Sequence, residues 1–343
     1  MKQRNYSIDL MKFYFALVIA VSHTPFPSTL PYIEGGYIVV LFFLLSGYFL
    51  VCSFDSGKYT DPWKFTMSRL KRIWPYYAVA FLLMYLYMSR GAGLRTLVLE
   101  FCRSLPELFM LHCTGFLEGG INYPMWQLCT LIIVSHIFFA LLQWNRDTTL
   151  NVICPVTALV TYTYYSNITP ETAIPFVYSP IIRAAGAVAM GMFLHRPIRL
   201  AVEKLETSKI PHMPILVSCA SIFLMLLLWT NRMDYDIVIP YTALLVCLLY
   251  SKSIWAVLLR SPILRHLDTL ALGIYLNHAL IVRIFEDHPE IWGSIPFLPD
   301  DIVFLLAVLV YTVIMMKLVD IFMAFGKGLA KKYMSADRKG IKI

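Results

Sequence analysis

Long apolar stretches separated by short polar segments run through the whole chain. A helix of about 20 apolar residues spans the hydrocarbon core of a bilayer, and ten stretches come close to that length. The predicted spans are residues 8–26, 36–54, 73–90, 124–144, 150–166, 180–195, 211–230, 235–250, 269–286 and 301–324. This pattern predicts an all-α integral membrane protein, a polytopic bundle of about ten transmembrane helices.

The stretch 94–113 has a different pattern, because its apolar residues alternate with charged ones at helical spacing. Arg95, Glu100, Arg103 and Glu107 disfavour a span. An amphipathic helix lying at the membrane interface fits this stretch better.

Composition agrees with a membrane protein, since 59% of the residues are apolar and only 15% are charged. Soluble domains carry about 25% charged residues. No polar stretch is long enough for a separate soluble domain, so we predict a single membrane domain over 1–343. Lys2 and Arg4 before the first apolar stretch also resemble a secretory signal, but nine further stretches follow and no small-residue cleavage site lies near Ser22.

Basic residues predict the orientation, because cytoplasmic loops are enriched in Lys and Arg. With a cytoplasmic N-terminus, 21 of the 29 basic residues fall on the inside, four fall in outer loops and four lie within spans. Both termini are therefore predicted to be cytoplasmic. The net charge of +8 follows from this topology, so we expect no nucleic-acid partner.

The seven cysteines form no CxxC pair, and no His, Cys and Asp cluster has metal-ligand spacing. We therefore predict no metal site. Cys102 and Cys113 share a predicted outer loop, which leaves a disulfide between them open.

The first span carries two ionisable residues, Lys12 and His23. Eleven residues at 100° each is about 20° past three turns, so both side chains lie on one helix face, about 16 Å apart along the axis. Ionisable side chains within a span are costly and mark functional sites by default. The stripe predicts a path that leads across the membrane.

Several short motifs occur in order within the first 75 residues. Lys12 and His23 are followed by Phe42-Phe43 with Ser46-Gly47, and then by Arg69-x-x-Arg72-x-x-Pro75. This order resembles the membrane-bound acyltransferase 3 family, whose members O-acylate bacterial surface glycans and other acceptors. Looser matches to the family follow at Trp126-x-Leu128, at Arg183 with Gly191 and at Tyr275-x-x-His278. The resemblance therefore covers about residues 5–325. A short basic tail, 326–343, lies beyond it.

Two positions depart from the family pattern. The family usually has Arg where this chain has Lys12, and Lys lacks the planar fork that binds phosphate or carboxylate in two places. Many members also carry Glu where this chain has Leu131. Both departures suggest a divergent subgroup.

The resemblance implies that His23 acts as the base on an acceptor hydroxyl or carries the acyl group itself. The alternative is a polar residue that bonds a neighbouring helix. For Lys12 the resemblance implies a place in the channel that admits the acyl donor, and the alternative is a snorkelling lysine paired with Asp9.

Arg69 and Arg72 would bind the phosphates of coenzyme A, since guanidinium pairs with phosphate in two places. Cytoplasmic topology alone also explains basic residues there, but not a fixed Arg-x-x-Arg-x-x-Pro pattern. The resemblance also implies that three side chains surround the transferred acyl group: Ser46, Tyr275 and His278, the last as a second catalytic residue. The alternative role for all three is hydrogen bonding between helices.

Trp126 and Arg183 lie near the outer ends of their spans. Trp126 would stack on an acceptor sugar or simply anchor the helix at the interface. Arg183 would orient the acceptor or stabilise a developing oxyanion.

The sequence thus predicts a membrane O-acyltransferase of the bacterial inner membrane. It would transfer an acyl group, expected to be acetyl, from cytoplasmic acyl-CoA to a glycan or lipid-linked glycan. We expect membrane lipid around the protein and no tightly bound cofactor. A polytopic secondary transporter with an intramembrane His/Lys pathway is the main alternative, because buried ionisable residues also mark transport paths. A non-catalytic scaffold is a third, and the sequence leaves the acceptor and the oligomeric state open.

Overall fold

The computed structural model describes residues 6–30, 35–112, 120–167, 179–230, 238–258, 266–295 and 297–340. Within these ranges the regular secondary structure is helical. The α-helices are Tyr6–Ser22 (α1), Gly35–Asp55 (α2), Pro62–Met88 (α3), Leu94–Leu108 (α4), Trp126–Trp144 (α5), Arg146–Thr148 (α6), Cys154–Asn167 (α7), Ser179–Phe193 (α8), His195–Thr207 (α9), Met213–Thr230 (α10), Val238–Leu249 (α11), Ile254–Leu258 (α12), Leu267–Asp287 (α13) and Asp300–Gly340 (α14). Cys113, one of the two cysteines for which a disulfide was left open, lies outside the described residues.

Four helices in the described part are long and apolar enough to cross a membrane. They are α2, α13, the first part of α14, and α5 together with the 3₁₀ turn Tyr123–Met125 before it. Shorter apolar helices occur at α8, α10 and α11. The structure therefore agrees with a membrane helical bundle, while the number of ten spans and the side of the termini stay predictions.

The third helix begins earlier than the sequence pattern suggested. Asp61 caps it, because its carboxylate accepts a hydrogen bond of 2.8 Å from the backbone N–H of Lys64, and Pro62 occupies the first turn. Helix α3 consequently includes Arg69 and Arg72, which directly precede the predicted span 73–90. Both side chains are thus fixed to a helix.

Two helix pairs, α2 with α8 and α1 with α13, pack most extensively. Two glycines bring α2 and α8 into close contact. A Cβ atom on Gly47 would lie 2.1 Å from the carbonyl oxygen of Val188, and one on Gly191 would lie 1.9 Å from that of Leu44. Small residues of this kind let membrane helices approach backbone to backbone.

Candidate active site

A cavity of about 670 Å³ lies between α1, α2, α3, α5 and α13. We call it the central cavity. Five residues proposed from the sequence line it: Lys12, Ser46, Arg69, Arg72 and Tyr275. They come from four helices and are up to 263 positions apart, so the tertiary structure brings together residues that the motifs had only suggested one by one.

One end of the central cavity is basic and exposed to solvent. Arg72, Lys58 and Ser68 line this end and are exposed. Arg69 lies deeper, where its Nη1 donates a hydrogen bond of 3.1 Å to Ser135 Oγ. Its guanidinium also lies over the ring of Phe65, 4.4 Å from the centroid. Arg69 is therefore held in place, while Arg72 is open to an anionic ligand.

Lys12 forms an ion pair inside the cavity. Its Nζ lies 2.8 Å from Oδ1 of Asp268, at the start of α13. We had considered Asp9, one turn away, as the partner, and Asp9 does line the same cavity. The observed pair instead joins two helices, with about a quarter of each side chain exposed. The positive charge of Lys12 is thus balanced within the cavity wall.

The two predicted catalytic histidines are neighbours. His23 follows the last residue of α1 and His278 lies within α13, and their ring centroids are 5.3 Å apart. The ring of Tyr275 lies 6.0 Å from that of His278. Because Tyr275 also lines the central cavity, it connects this histidine pair to the cavity.

Hydrogen bonds fix the tautomer of both imidazoles. Nδ1 of His23 lies 2.8 Å from the carbonyl oxygen of Ile19, and Nδ1 of His278 lies 3.1 Å from that of Ile274. A carbonyl only accepts, so each Nδ1 donates and each Nε2 keeps its lone pair. Nε2 of His278 is buried and has no hydrogen-bond partner in the part of the chain that the structure describes. Each ring therefore offers a basic nitrogen.

Ser46 has a local bond as well as a place in the cavity wall. Its Oγ donates a hydrogen bond of 2.8 Å to the carbonyl oxygen of Phe42, one turn earlier in α2. This bond satisfies the hydroxyl proton and leaves the oxygen able to accept. The interhelical bonding that we had considered for Ser46 is thus replaced by a bond within its own helix.

Arg183 and Trp126 do not line the central cavity. Nη2 of Arg183 donates a hydrogen bond of 2.7 Å to the carbonyl oxygen of Gly36. A Cβ atom on the adjacent Gly35 would lie 3.7 Å from Cε1 of His23, so Arg183 is close to the histidine pair. Trp126 packs against Phe43, with ring centroids 6.0 Å apart, and is only partly exposed.

A known protein family matches nearly the whole chain. The family model described as an acyltransferase domain, acyltransferase 3, matches residues 5–322, which is nearly the whole chain. The chain belongs to this family. No protein of curated function and no solved structure matches the chain.

Membership in the acyltransferase 3 family gives the chain its reaction class. It is an acyltransferase, and together with its long apolar helices this makes it a multi-pass membrane protein. Leu131, which departs from the family pattern, lines the central cavity of this acyltransferase. At this position the cavity wall is apolar.

Two residues of this acyltransferase's candidate site, Asp268 and Tyr123, were not predicted from the sequence. Asp268 directly precedes the predicted span 269–286, and its pairing with Lys12 depends on a contact between helices. Tyr123 lies in the short 3₁₀ turn before α5, and its ring centroid is 5.3 Å from that of His23. The Asn-Tyr-Pro sequence signals a turn, but nothing local places that turn beside α1.

Proposed function

We propose that this protein transfers an acyl group, acetyl being the expected one, from cytoplasmic acyl-CoA to a hydroxyl of a surface glycan or lipid-linked glycan. The observation that carries the proposal is the histidine pair, which contacts through Tyr275 the wall of a cavity whose exposed end is basic. A donor entering at the basic end would bring its thioester toward two imidazoles with basic Nε2 atoms.

The donor would bind along the central cavity. The phosphates of coenzyme A suit the exposed guanidinium of Arg72 and the fixed guanidinium of Arg69, since Arg pairs with phosphate in two places. The neutral pantetheine arm would pass the Lys12–Asp268 pair, which offers a donor and an acceptor to amide groups. Ser46 and Tyr275 would then lie beside the acyl end.

The transfer needs a base, because a sugar hydroxyl is a weak nucleophile until its proton leaves. Nε2 of His23 would take this proton while the hydroxyl oxygen attacks the thioester carbon. The C–S bond breaks, and the coenzyme A thiolate leaves and takes a proton from the imidazolium. His278 would assist as the neighbouring imidazole. In the alternative, His23 first accepts the acyl group and then passes it to the acceptor.

The acceptor would arrive from the end of the bundle opposite to Arg69 and Arg72. His23 is in the turn after α1, close to Arg183, so an acceptor at the outer surface would meet the base without crossing the cavity. Arg183 would orient the acceptor or stabilise the oxyanion. This geometry would keep donor and acceptor on separate sides, in a bacterial inner membrane.

The experiment that tests the proposal measures the O-acetyl content of surface glycans in a deletion strain. The strain is complemented with wild type, His23→Ala or His288→Ala, and membrane expression is checked for each. His288 is a matched control, because it is exposed and pairs with Glu290 away from the histidine pair. We expect wild type and His288→Ala to restore acetylation, and His23→Ala to restore none.

The other outcomes separate the parts of the proposal. If His23→Ala also restores acetylation, His23 is structural and the proposed chemistry is wrong. If wild type changes no acetylation, the proposed acceptor or acyl group is wrong, and purified protein must be assayed for acyl-CoA turnover instead.

A further inference from the structure

At the end of the bundle where the acceptor is proposed to arrive, a short turn before α5 carries an exposed aromatic ring. In the 3₁₀ turn Tyr123–Met125, Pro124 and Met125 are buried, and so is the preceding Asn122. Tyr123 alone in this group is exposed, with 39% of its surface accessible. The turn therefore directs one large ring outward from a buried backbone.

Buried polar groups fix the backbone before this ring. The carboxylate of Glu107 in α4 accepts hydrogen bonds from the N–H groups of Ile121, at 2.6 Å, and Asn122, at 2.9 Å. Asn122 Nδ2 in turn donates a bond of 3.1 Å to the carbonyl oxygen of Leu276 in α13. Burial raises the pKa of the Glu107 carboxyl, and the two N–H donors act against that rise. An internal carboxyl thus serves to hold this segment.

The backbone after the ring is tied as well. The hydroxyl of Tyr275 donates a hydrogen bond to the carbonyl oxygen of Pro124. Tyr275 lines the central cavity, so the turn is attached directly to the wall of the donor path. Bonds on both sides of Tyr123 make its position rigid, which is the property that a binding platform requires.

The ring of Tyr123 faces the proposed base. Its centroid is 5.3 Å from that of His23, with the two planes tilted by 56°. An interfacial tyrosine that only anchors a helix faces lipid on the perimeter of the bundle. Tyr123 instead borders His23, so a ligand that covers the exposed part of its ring would lie next to that histidine.

The surroundings of Tyr123 also include charge. The carboxylate of Glu286 interacts electrostatically with the Tyr123 hydroxyl. Glu286 also pairs with Arg283, whose Nη1 lies 2.8 Å from Oε2, and about 40% of each side chain is exposed. An exposed aromatic face with an exposed acid and base in its surroundings matches a sugar, which has apolar C–H faces and a rim of hydroxyls.

We propose that Tyr123 is the platform of a carbohydrate subsite, on which a sugar ring of the acceptor stacks so that one hydroxyl meets His23. Glu286 and Arg283 hydrogen-bond other hydroxyls of that sugar. The inference rests on the proposed function and adds a residue to it, since Trp126, which we had considered for stacking, is packed against Phe43.

The test uses the full-length purified protein in detergent with saturating acetyl-CoA. The acceptors are the O-deacetylated polysaccharide of the deletion strain and, as a hydroxyl compound without a ring, glycerol. Tyr123→Ala, Tyr123→Phe and, as a matched control, Tyr162→Ala are compared with wild type. Tyr162 lies in α7 with 37% of its surface exposed, so its removal is equivalent in size and exposure.

We expect Tyr123→Ala to raise the KM for the polysaccharide about five- to tenfold, which corresponds to the loss of one stacked ring. Tyr123→Phe keeps the ring and should stay within about twofold of wild type. Transfer to glycerol should be the same in all variants, and Tyr162→Ala should resemble wild type. Melting temperatures confirm that each variant is folded.

Three results would overturn the inference. If the wild type is active and Tyr123→Ala has an unchanged KM for the polysaccharide, Tyr123 is not a platform for the sugar. The proposed function is then unaffected. An equal loss with glycerol and polysaccharide means that Tyr123 positions His23 rather than binding a sugar. A wild type that releases no thiol from acetyl-CoA with either acceptor contradicts the proposed function itself, and the subsite with it.

Discussion

At the scale of single residues, the ion pair between Lys12 and Asp268 changes how the first helix is understood. This lysine within a span was expected either to snorkel and pair with Asp9 or to lie in the channel that admits the acyl donor. The structure gives it a carboxylate partner on α13, with both side chains in the cavity wall. Lys12 is therefore held at a fixed place along the proposed donor path, and Asp268 becomes a candidate positioning residue.

The first prediction concerns this pair. We expect Asp268→Asn to raise the KM for acetyl-CoA about three- to tenfold, because Lys12 loses the charge that orients it. Asp268→Glu should recover part of the loss. Steady-state kinetics of the purified protein measure both. The matched control is Asp287→Asn, which removes an ion-paired carboxylate from the other end of the same helix. A similar KM in Asp268→Asn and wild type would mean that the pair is only structural.

Residue-scale patterns predicted part of the candidate site. The spacing of Lys12 and His23 was informative although His23 directly follows the last residue of α1, because helical periodicity holds along the segment as far as Ser22. His278 and Tyr275 were likewise linked by helical spacing. Tyr123 and Asp268 were not predicted, because the role of each depends on a contact with another helix. The periodicity of a single segment does not indicate such a contact.

At the scale of helices, the contact between α2 and α8 depends on the absence of two side chains. The backbone carbonyl oxygens of Val188 and Leu44 occupy the places where Cβ atoms of Gly47 and Gly191 would lie. Backbone cannot rotate away as a flexible side chain can. These glycines belong to motifs that the sequence analysis noted, and the structure gives them a packing role that holds Ser46 in the cavity wall.

The second prediction concerns this helix contact. Gly191→Ala should destabilise the protein by about 1–3 kcal/mol, because overpacking forces α2 and α8 apart. The control is Gly326→Ala in α14, where nothing lies within 4 Å of the added Cβ. Thermal unfolding in detergent should show a lower melting temperature for Gly191→Ala alone. Equal melting temperatures for both variants would contradict the close contact.

The amphipathic stretch after the third span was predicted correctly as a helix that differs from the spans. Helix α4 covers Leu94–Leu108, and Leu94 and Val98 expose their apolar side chains. The pattern also suggested that Glu107 is one of the polar residues of this helix. The structure instead buries Glu107 as the acceptor for the turn before α5, because that turn folds back over the end of α4.

At the scale of the whole molecule, the two ends of the bundle have different chemistry. One end carries Arg69, Arg72 and Lys58 around the mouth of the central cavity, and the other carries the turn after α1, with Tyr123 beside His23. The central cavity and the histidine pair connect these ends through Tyr275. This division matches a donor and an acceptor that approach from opposite sides.

The third prediction concerns the orientation of the bundle. In a cysteine-free background, Ser56→Cys at the basic end should react with a membrane-impermeant maleimide only after the cells are opened. Native Cys102, restored alone in α4, should react in intact cells, because both positions are exposed and lie at opposite ends. The reverse labelling pattern would place the donor site outside the cytoplasm and contradict the proposed direction of transfer.

The sequence by itself determined the class of fold, the family motifs and the candidates on shared helix faces, because apolar length and helical period are local properties. The tertiary structure decided which of these candidates meet. His23 and His278 are neighbours, and Lys12 and Asp268, 256 positions apart, form an ion pair. Such contacts arise from the packing of helices against each other, which fixes distances that no single segment encodes.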